Sequence, residues 1–377
     1  MGESRRSGRK KKRRLNKGIL MVFVLCLLIV GVATYNANMK ESTTDEKTTV
    51  EESEENPELI EELEKETTIT ISAAGDFTLG TDESFGYQGS FLDEANKNGL
   101  SYFAEKLNAI FEEDDLSMVN LETTLTNATE KAVKKFRFKG DPSYAGILNI
   151  AGIETVNLAN NHTMDYLEKG YTDTLDTLKQ YNIGYFGYDD QYITTINGIK
   201  IAALGYEGWQ DTPEIRAIVE NDIQQLRKQG VQIIIVHYHW GIERQYVPIA
   251  SQQTLARFTI DSGADLIVGH HPHVVQGIEE YKDKFIVYSL GNFMFGGNRN
   301  PSDKDTFVFQ QTFHLKGETL MDTKEIRVVP FSISSVSHRN NYQPMYLTGS
   351  EAERVKQKII DASNQIEGSE WLQYETE

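Results

Sequence analysis

The chain has 377 residues, 39% of them hydrophobic and 25% charged, enough for a packed core in one large domain or two ordinary ones and too apolar for a disordered protein. Its 56 acidic residues outnumber 38 basic ones, for a formal net charge of −18. The basic residues gather at the N-terminus, so the remainder lacks the basic surface that nucleic acid requires, and a single cysteine, Cys26, excludes a disulfide framework.

The N-terminus reads "RRSGRKKKRRLNK" from Arg5 to Lys17 and then "GILMVFVLCLLIVGVATY" from Gly18 to Tyr35. A basic flank before an uncharged run of bilayer-crossing length is either a cleaved signal peptide or a retained anchor. No A-x-A pattern follows the run, and Cys26 lacks the small residue that precedes a lipidated cysteine, so retention is expected. Residues 1–17 then form a cytoplasmic flank, residues 18–35 a single span in the lipid bilayer of the cell membrane, and everything beyond lies outside the cell. Residues 36–66, rich in Glu and Thr, read as a solvated acidic, disordered stalk. A globular domain is expected over residues 67–345 and a helical tail over residues 346–377.

From Thr67 onward, short β-branched runs alternate with helical patterns. "TTITISAAG", "DLSMVNLE", "GIETVNLANN", "VQIIIVHYHW", "ADLIVGHHPH" and "KFIVYSLGNF" read as buried strands, each ending in a polar cluster. "LSYFAEKLNAIFEE", "DYLEKGYTDTLDTLKQY", "TPEIRAIVENDIQQLRKQG" and "SQQTLARFTIDSG" carry apolar residues at helical spacing. "YITTINGIKIAALGY" predicts a hairpin turning at Asn197-Gly198. The alternation implies an α/β layered domain, with an antiparallel portion over "DTFVFQQTFHL" and "EIRVVPFSISSV".

The polar clusters all fall at carboxyl ends of strands, where open α/β sheets bind ligands. Asp76, Glu122, Asn161, His162, His239 and the histidines of 270–273 can therefore meet on one rim. Carboxylates, an amide oxygen and neutral imidazoles suit one or two divalent metal ions of the Mn, Fe, Zn or Co type, and the lack of thiolates argues against structural zinc. Around Pro272, an extended backbone aims His271 and His273 to one side, toward one metal or two neighbouring ones, while His270 is the weakest ligand candidate. Taken singly, each residue fits a turn or a cap as well as a ligand; the set does not. His162 is typed to protonate a leaving group. In "KKFRFKGDP", Arg137 and Lys139 alternate with Phe136 and Phe138, either as an edge strand with a solvated basic face or as a clamp for substrate carboxylates. Glu243 and Asn292 are further candidates for substrate contact or for orienting ligands.

The ordered series "GDFTLG", "NLETTLT", "LANNHTMDY", "HWGIE", "GHHPHVVQ" and "YSLGNFMF" resembles the CapA family of poly-γ-glutamate capsule synthesis proteins, over about Ile69 to Phe331. That family is similar to calcineurin-like metallophosphoesterases. The resemblance implies a β-sandwich flanked by helices with a two-metal site at the strand ends. It assigns Asp76 as first aspartate ligand, Glu122 as bridging carboxylate, Asn161 and His162 as the asparagine ligand and catalytic histidine, and His239, His271 and His273 as histidine ligands. One departure stands out: Asp76-Phe77-Thr78 replaces Asp-x-His, so one position lacks a ligand. The implied role is synthesis, transport or anchoring of an anionic polymer such as poly-γ-glutamate beside membrane synthase subunits. Two alternatives remain, a non-catalytic polymer-binding scaffold and an envelope metal-dependent phosphoesterase.

Overall fold

The computed structural model describes residues 65–376. Two sheets face each other. The first runs in the order Met345–Tyr346, Thr319–Ser332, Asp305–Lys316, Glu66–Thr78, Leu116–Leu121, Thr155–Asn157, Gly184–Phe186, with Asn292–Phe295 also pairing on Glu66–Thr78. The second runs Ile278–Tyr281, Lys284–Val287, Leu266–His270, Ile233–His239, Ile199–Glu207, Tyr192–Ile196. The central strands of each sheet are parallel, so their carboxyl ends reach the same side.

Strand periodicity explains the layers. Ile233 and Ile235 of one strand, Leu266 and Val268 of the next, and Ile69, Ile71, Leu116 and Met118 of the opposing sheet share one apolar core between the sheets. The alternate residues Ile234, Val236 and Tyr238 point outward to the helices Pro213–Lys228 and Ala250–Asp261. On the first sheet Val119, Leu121 and Val156 pack against Phe91–Asn98, Ala145–Ala151 and Leu167–Gln180. The domain is thus a helix-flanked β-sandwich, in agreement with the expected layering. Each fully buried Ile, Leu or Val contributes about 1.5–3 kcal/mol.

The hairpin turns at Asn197 and Gly198, with φ of 52° and 85°. The antiparallel pair Asp305–Lys316 and Thr319–Ser332 forms as expected. One expected helix does not: in "LSYFAEKLNAIFEE" only Ser101–Phe103 closes a 3-10 turn, and Asn108 and Ala109 take φ of 57° and 56°. Its apolar residues Phe103, Leu107, Ile110 and Phe111 are buried nonetheless, so helical spacing here records burial along irregular chain. The neighbouring helix is Phe91–Asn98, capped by Ser90, whose hydroxyl accepts from Asp93 N at 3.2 Å. "KFIVYSLGNF" contains two strands in different sheets, Lys284–Val287 and Asn292–Phe295, separated by a bend at Gly291 with φ 77°. Among the described residues no helix is long and apolar enough to cross a membrane; the segments expected as flank, span and most of the stalk lie outside them.

Candidate metal centre

The alternation that builds the core also builds the site. On the inter-sheet faces the apolar residues give way, toward the carboxyl ends, to Asn120, Asn157, His237, His239 and His270, all buried. Asp76 follows Gly75, whose strand presses so closely on Gly291 that an added Cβ would lie 2.0 Å from the Gly291 oxygen. Asp76 N donates to that oxygen at 3.0 Å, which fixes the carboxylate at the rim. Glu122 directly follows Leu116–Leu121, and its N–H donates to Phe77 O at 2.8 Å.

Two groups of donors form. Glu122, His239 and His271 bring ligand atoms within 4.8 Å of one another, as do Asp76, Glu122 and His273. Glu122 belongs to both. The expectation of an extended His271-Pro272-His273 is corrected here: His271 and His273 have φ of 93° and 57° in a tight turn, so the pair divides between the two groups. Backbone held in this region by non-glycine residues costs about 1–3 kcal/mol each, a strain typical of functional sites. Asn161 Oδ1 lies 2.8 Å from His239 Nε2, and His271 Nδ1 lies 3.1 Å from the same nitrogen.

The donor set fits divalent cations. Both Glu122 oxygens are buried without a hydrogen-bond partner among the described residues. An uncompensated buried carboxylate is costly, and a cation shared between the two groups would supply its missing partner. Oxygen and imidazole nitrogen without sulfur match a borderline divalent ion.

Electrostatics divide the donors. Burial pushes the Glu122 carboxyl well above its usual range. Burial also opposes ionisation of Asp76, but His270 and His273 outweigh it and hold that carboxyl well below its usual range. Burial drives His239 well below the ordinary imidazole value and His271 down to about 3, so both present the neutral nitrogens a metal requires. His273 is also disfavoured by burial, yet Glu122 and Asp76 raise it to about 9. Its Nδ1 lies 3.0 Å from Asp76 Oδ2 and 2.9 Å from Asn292 Oδ1.

His162 stands beside the groups, its Nε2 3.8 Å from Glu122 Oε1 and its ring stacked on Phe138 at 4.2 Å between centroids. Its Nδ1 lies 2.6 Å from Asp165 Oδ2, and Lys134 Nζ donates to Asp165 Oδ1 at 2.7 Å and to Asn161 O at 2.6 Å. Burial lowers the His162 pKa, and Asp165 opposes that shift. Asp165 and Lys134 were not singled out in the sequence, although an acid three residues after His162 in a turn was a readable signal.

Other supports are legible only in three dimensions. Asn120 Nδ2 donates to Asp76 Oδ1 at 2.9 Å, and Asn157 donates to Asn120 Oδ1 at 2.9 Å. His270 lies behind Asp76, 3.5 Å from Oδ1, and its Nε2 meets His237 Nδ1 at 2.9 Å, outside both donor groups. Trp209 sets its edge against His239 and His271, with centroids 5.5 and 4.7 Å away.

The basic pair of the "KKFRFKGDP" segment is not brought to the centre. Alternation turns Phe136 and Phe138 to the cavity beside His162, and Arg137 and Lys139 the other way. Arg137 Nη1 donates to Lys134 O at 2.9 Å. Lys139 Nζ donates to Ala128 O at 3.0 Å, lies over the Tyr166 ring and lines a separate cavity. Glu243 is exposed on the wall of the cavity beside the centre. Asn292, also in that wall, is buried and brackets His273, accepting near Nδ1 and donating to its carbonyl at 3.2 Å.

Residues 70–297 match the family model described as "Bacterial capsule synthesis protein PGA_cap". The chain is 30% identical over 289 residues to the PGA biosynthesis protein CapA of Bacillus subtilis (strain 168), covering 70% of this chain and 72% of that protein. It is 27% identical over 297 residues to the capsule biosynthesis protein CapA of Bacillus anthracis, covering 71% and 68%. Among solved structures, a phosphatase from Mycoplasma pneumoniae aligns with 13% identity and a TM-score of 0.43, over 71% of this chain and 95% of that one. With more than half of its length inside that model, and with the model's span containing both donor groups, the chain belongs to the PGA_cap family of bacterial capsule synthesis proteins.

Proposed function

We propose that this protein is a membrane-anchored, extracellular capsule-synthesis protein that uses divalent cations to cleave a bond in an anionic polymer of the poly-γ-glutamate type, beside membrane synthase subunits. The observation that carries the metal-dependent part is Glu122, a fully buried acid shared by two donor groups, neither of whose oxygens has a hydrogen bond among the described residues. Asp76, Glu122 and His273 would hold one cation, and Glu122, His239 and His271 with Asn161 the other. When bound, such a pair provides a nucleophile at neutral pH and Lewis acidity for the reacting oxygens.

The chain's own residues do the rest. With Nδ1–H given to Asp165, Nε2 is the atom of His162 left to exchange a proton with the leaving group. Phe138, stacked on that ring, keeps water from one of its faces. Retention in the membrane through residues 18–35 is supported by the basic flank and the uncharged run.

One observation favours a non-catalytic, polymer-binding subunit instead. Thr78 stands where the resemblance implies a histidine, and its hydroxyl is buried without a hydrogen-bond partner among the described residues. Metal analysis of the full chain, purified in detergent from metal-replete cells, separates these readings. One to two equivalents of a transition metal are expected, falling in His271→Ala and His273→Ala. His162→Ala should keep its metal and lose cleavage of a γ-linked glutamate oligomer. A wild-type protein without metal ends the hydrolase reading; metal without cleavage supports the binding subunit.

A further inference from the structure

The cavity beside the centre holds about 450 Å³, within the range of small-ligand sites, and His162 and His273 open onto it. Its lining also contains two arginines that no motif singled out, Arg244 and Arg299. Their surroundings set them apart. In a chain with acids in excess, Arg216, Arg227, Arg257, Arg339 and Arg354 are each ion-paired with a carboxylate, while Arg137 and Arg327 hydrogen-bond to Lys134 O and Gln310 Oε1 outside this lining. Arg244, exposed, has no side-chain partner among the described residues. Arg299 donates from Nη2 to Gly86 O at 2.7 Å, while its Nε is buried with no acceptor among the described residues.

Position adds to the case. Arg244 has φ 62° and donates from its backbone N–H to Pro272 O at 2.7 Å, so its backbone is tied to the turn that carries His271 and His273. Of the acids in the lining, Asp303 is engaged by Lys358 at 2.6 Å and by the Tyr246 hydroxyl at 2.8 Å. Glu243 is the other, which leaves two guanidinium groups facing one unengaged carboxylate. Between the arginines and the histidines runs an aromatic wall. Phe295 lies 4.9 Å from the His273 ring and 6.4 Å from Phe138, and Phe85 lies 5.9 Å from Phe136.

We propose that Arg244 and Arg299 seat a pendant carboxylate of the acidic polymer on the leaving-group side of the bond, with its methylenes along Phe136, Phe138 and Phe295. The inference rests on the reading of the centre given above and adds which residues select an acidic chain. Guanidinium suits this task because its fork pairs with carboxylate geometry and stays charged at any working pH. The seat also answers how an acidic exterior receives an acidic polymer, since two guanidinium groups without a carboxylate partner among the described residues share a cavity with His273.

Equilibrium binding to the full chain tests this without requiring turnover. The probes are a γ-linked glutamate decamer, its uncharged γ-glutamine counterpart and inorganic phosphate. Arg244→Gln and Arg299→Gln should each weaken the glutamate decamer by about tenfold, the worth of one charged hydrogen bond, with metal content unchanged. The γ-glutamine decamer should bind weakly and equally to all three proteins, and Arg299→Lys, which keeps the charge and a donor for Gly86 O, should recover part of the loss. Wild-type affinity for the glutamate decamer in both variants overturns the proposal. Phosphate displacing the decamer, with the same dependence on both arginines, overturns the carboxylate assignment in favour of a phosphate seat. A metal-free wild type that still shows the arginine dependence supports the seat while ending the hydrolase reading.

Discussion

At the scale of single residues, the centre depends on groups that hold ligands rather than on ligands alone. Asn292 brackets His273 from two sides, so Asn292→Ala should cost about 10–100-fold in metal affinity, measured by competition with a chelator, while the fold persists. Asp165 holds Nδ1 of His162, and Asp165→Asn reverses the hydrogen-bond polarity there without removing the side chain. Loss of about 10²–10⁴-fold in cleavage rate is expected, with metal content unchanged. The supporting roles of both residues were less specific in sequence than those of the histidines they serve: Asn292 in "SLGNF" read as a candidate for substrate contact or for orienting ligands, and Asp165 only as an acid in a turn. Arg137, left open between a solvated edge and a clamp, shows the converse. Its chemistry suited a carboxylate clamp, but the alternation of its segment turned it away, and Arg244 and Arg299, unremarkable in sequence, line the cavity instead.

At the scale of elements, the strands were readable as short β-branched runs buried along their whole length, and the helices 167–180, 213–228 and 250–261 because their burial follows a period of 3.6. Residues 100–113 misled for a definite reason. They satisfy the helical spacing, yet two consecutive positive φ values at Asn108 and Ala109 break the ladder while Ile110 and Phe111 still reach the core. The close approach of Glu66–Thr78 to Asn292–Phe295 makes Gly75 an element-level constraint. Gly75→Ala should destabilise by at least about 1–3 kcal/mol in urea unfolding, because backbone rather than a flexible side chain occupies the space, and it should weaken metal binding by moving Asp76.

For the whole molecule, the C-terminal segment belongs to the core. Helix Gly349–Ser363 packs Val355 and Ile359 into the inter-sheet cluster, and Trp371 is fully buried there with Nε1 3.1 Å from Ser363 Oγ. Trp371→Ala should therefore cost about 3–5 kcal/mol, read as a lower urea midpoint. Stability should also vary with pH through acids far from the metal centre. Burial raises Asp114 to about 6 and Glu154 to about 7. In the unfolded chain both ionise near about 4, so between about pH 4 and 7 the folded state binds more protons and stability falls as pH rises. Asp114→Asn should shrink that decline, seen as a smaller difference between melting temperatures at about pH 4.5 and 7.5 than in the wild type.

By itself the sequence determined the family, through its ordered motifs, and most of the strands and helices after Thr67 together with the rim of Asp76, Glu122, His239, His271 and His273, because these rest on local patterning and on residue types at strand ends. Tertiary structure alone decided which donors share a position. The two histidines around Pro272 divide between the groups that Glu122 joins, a bridging place the resemblance had implied for Glu122 alone, and the Arg244 backbone is tied to their turn. Such relations depend on how two sheets meet and on positive φ angles that sequence spacing does not encode.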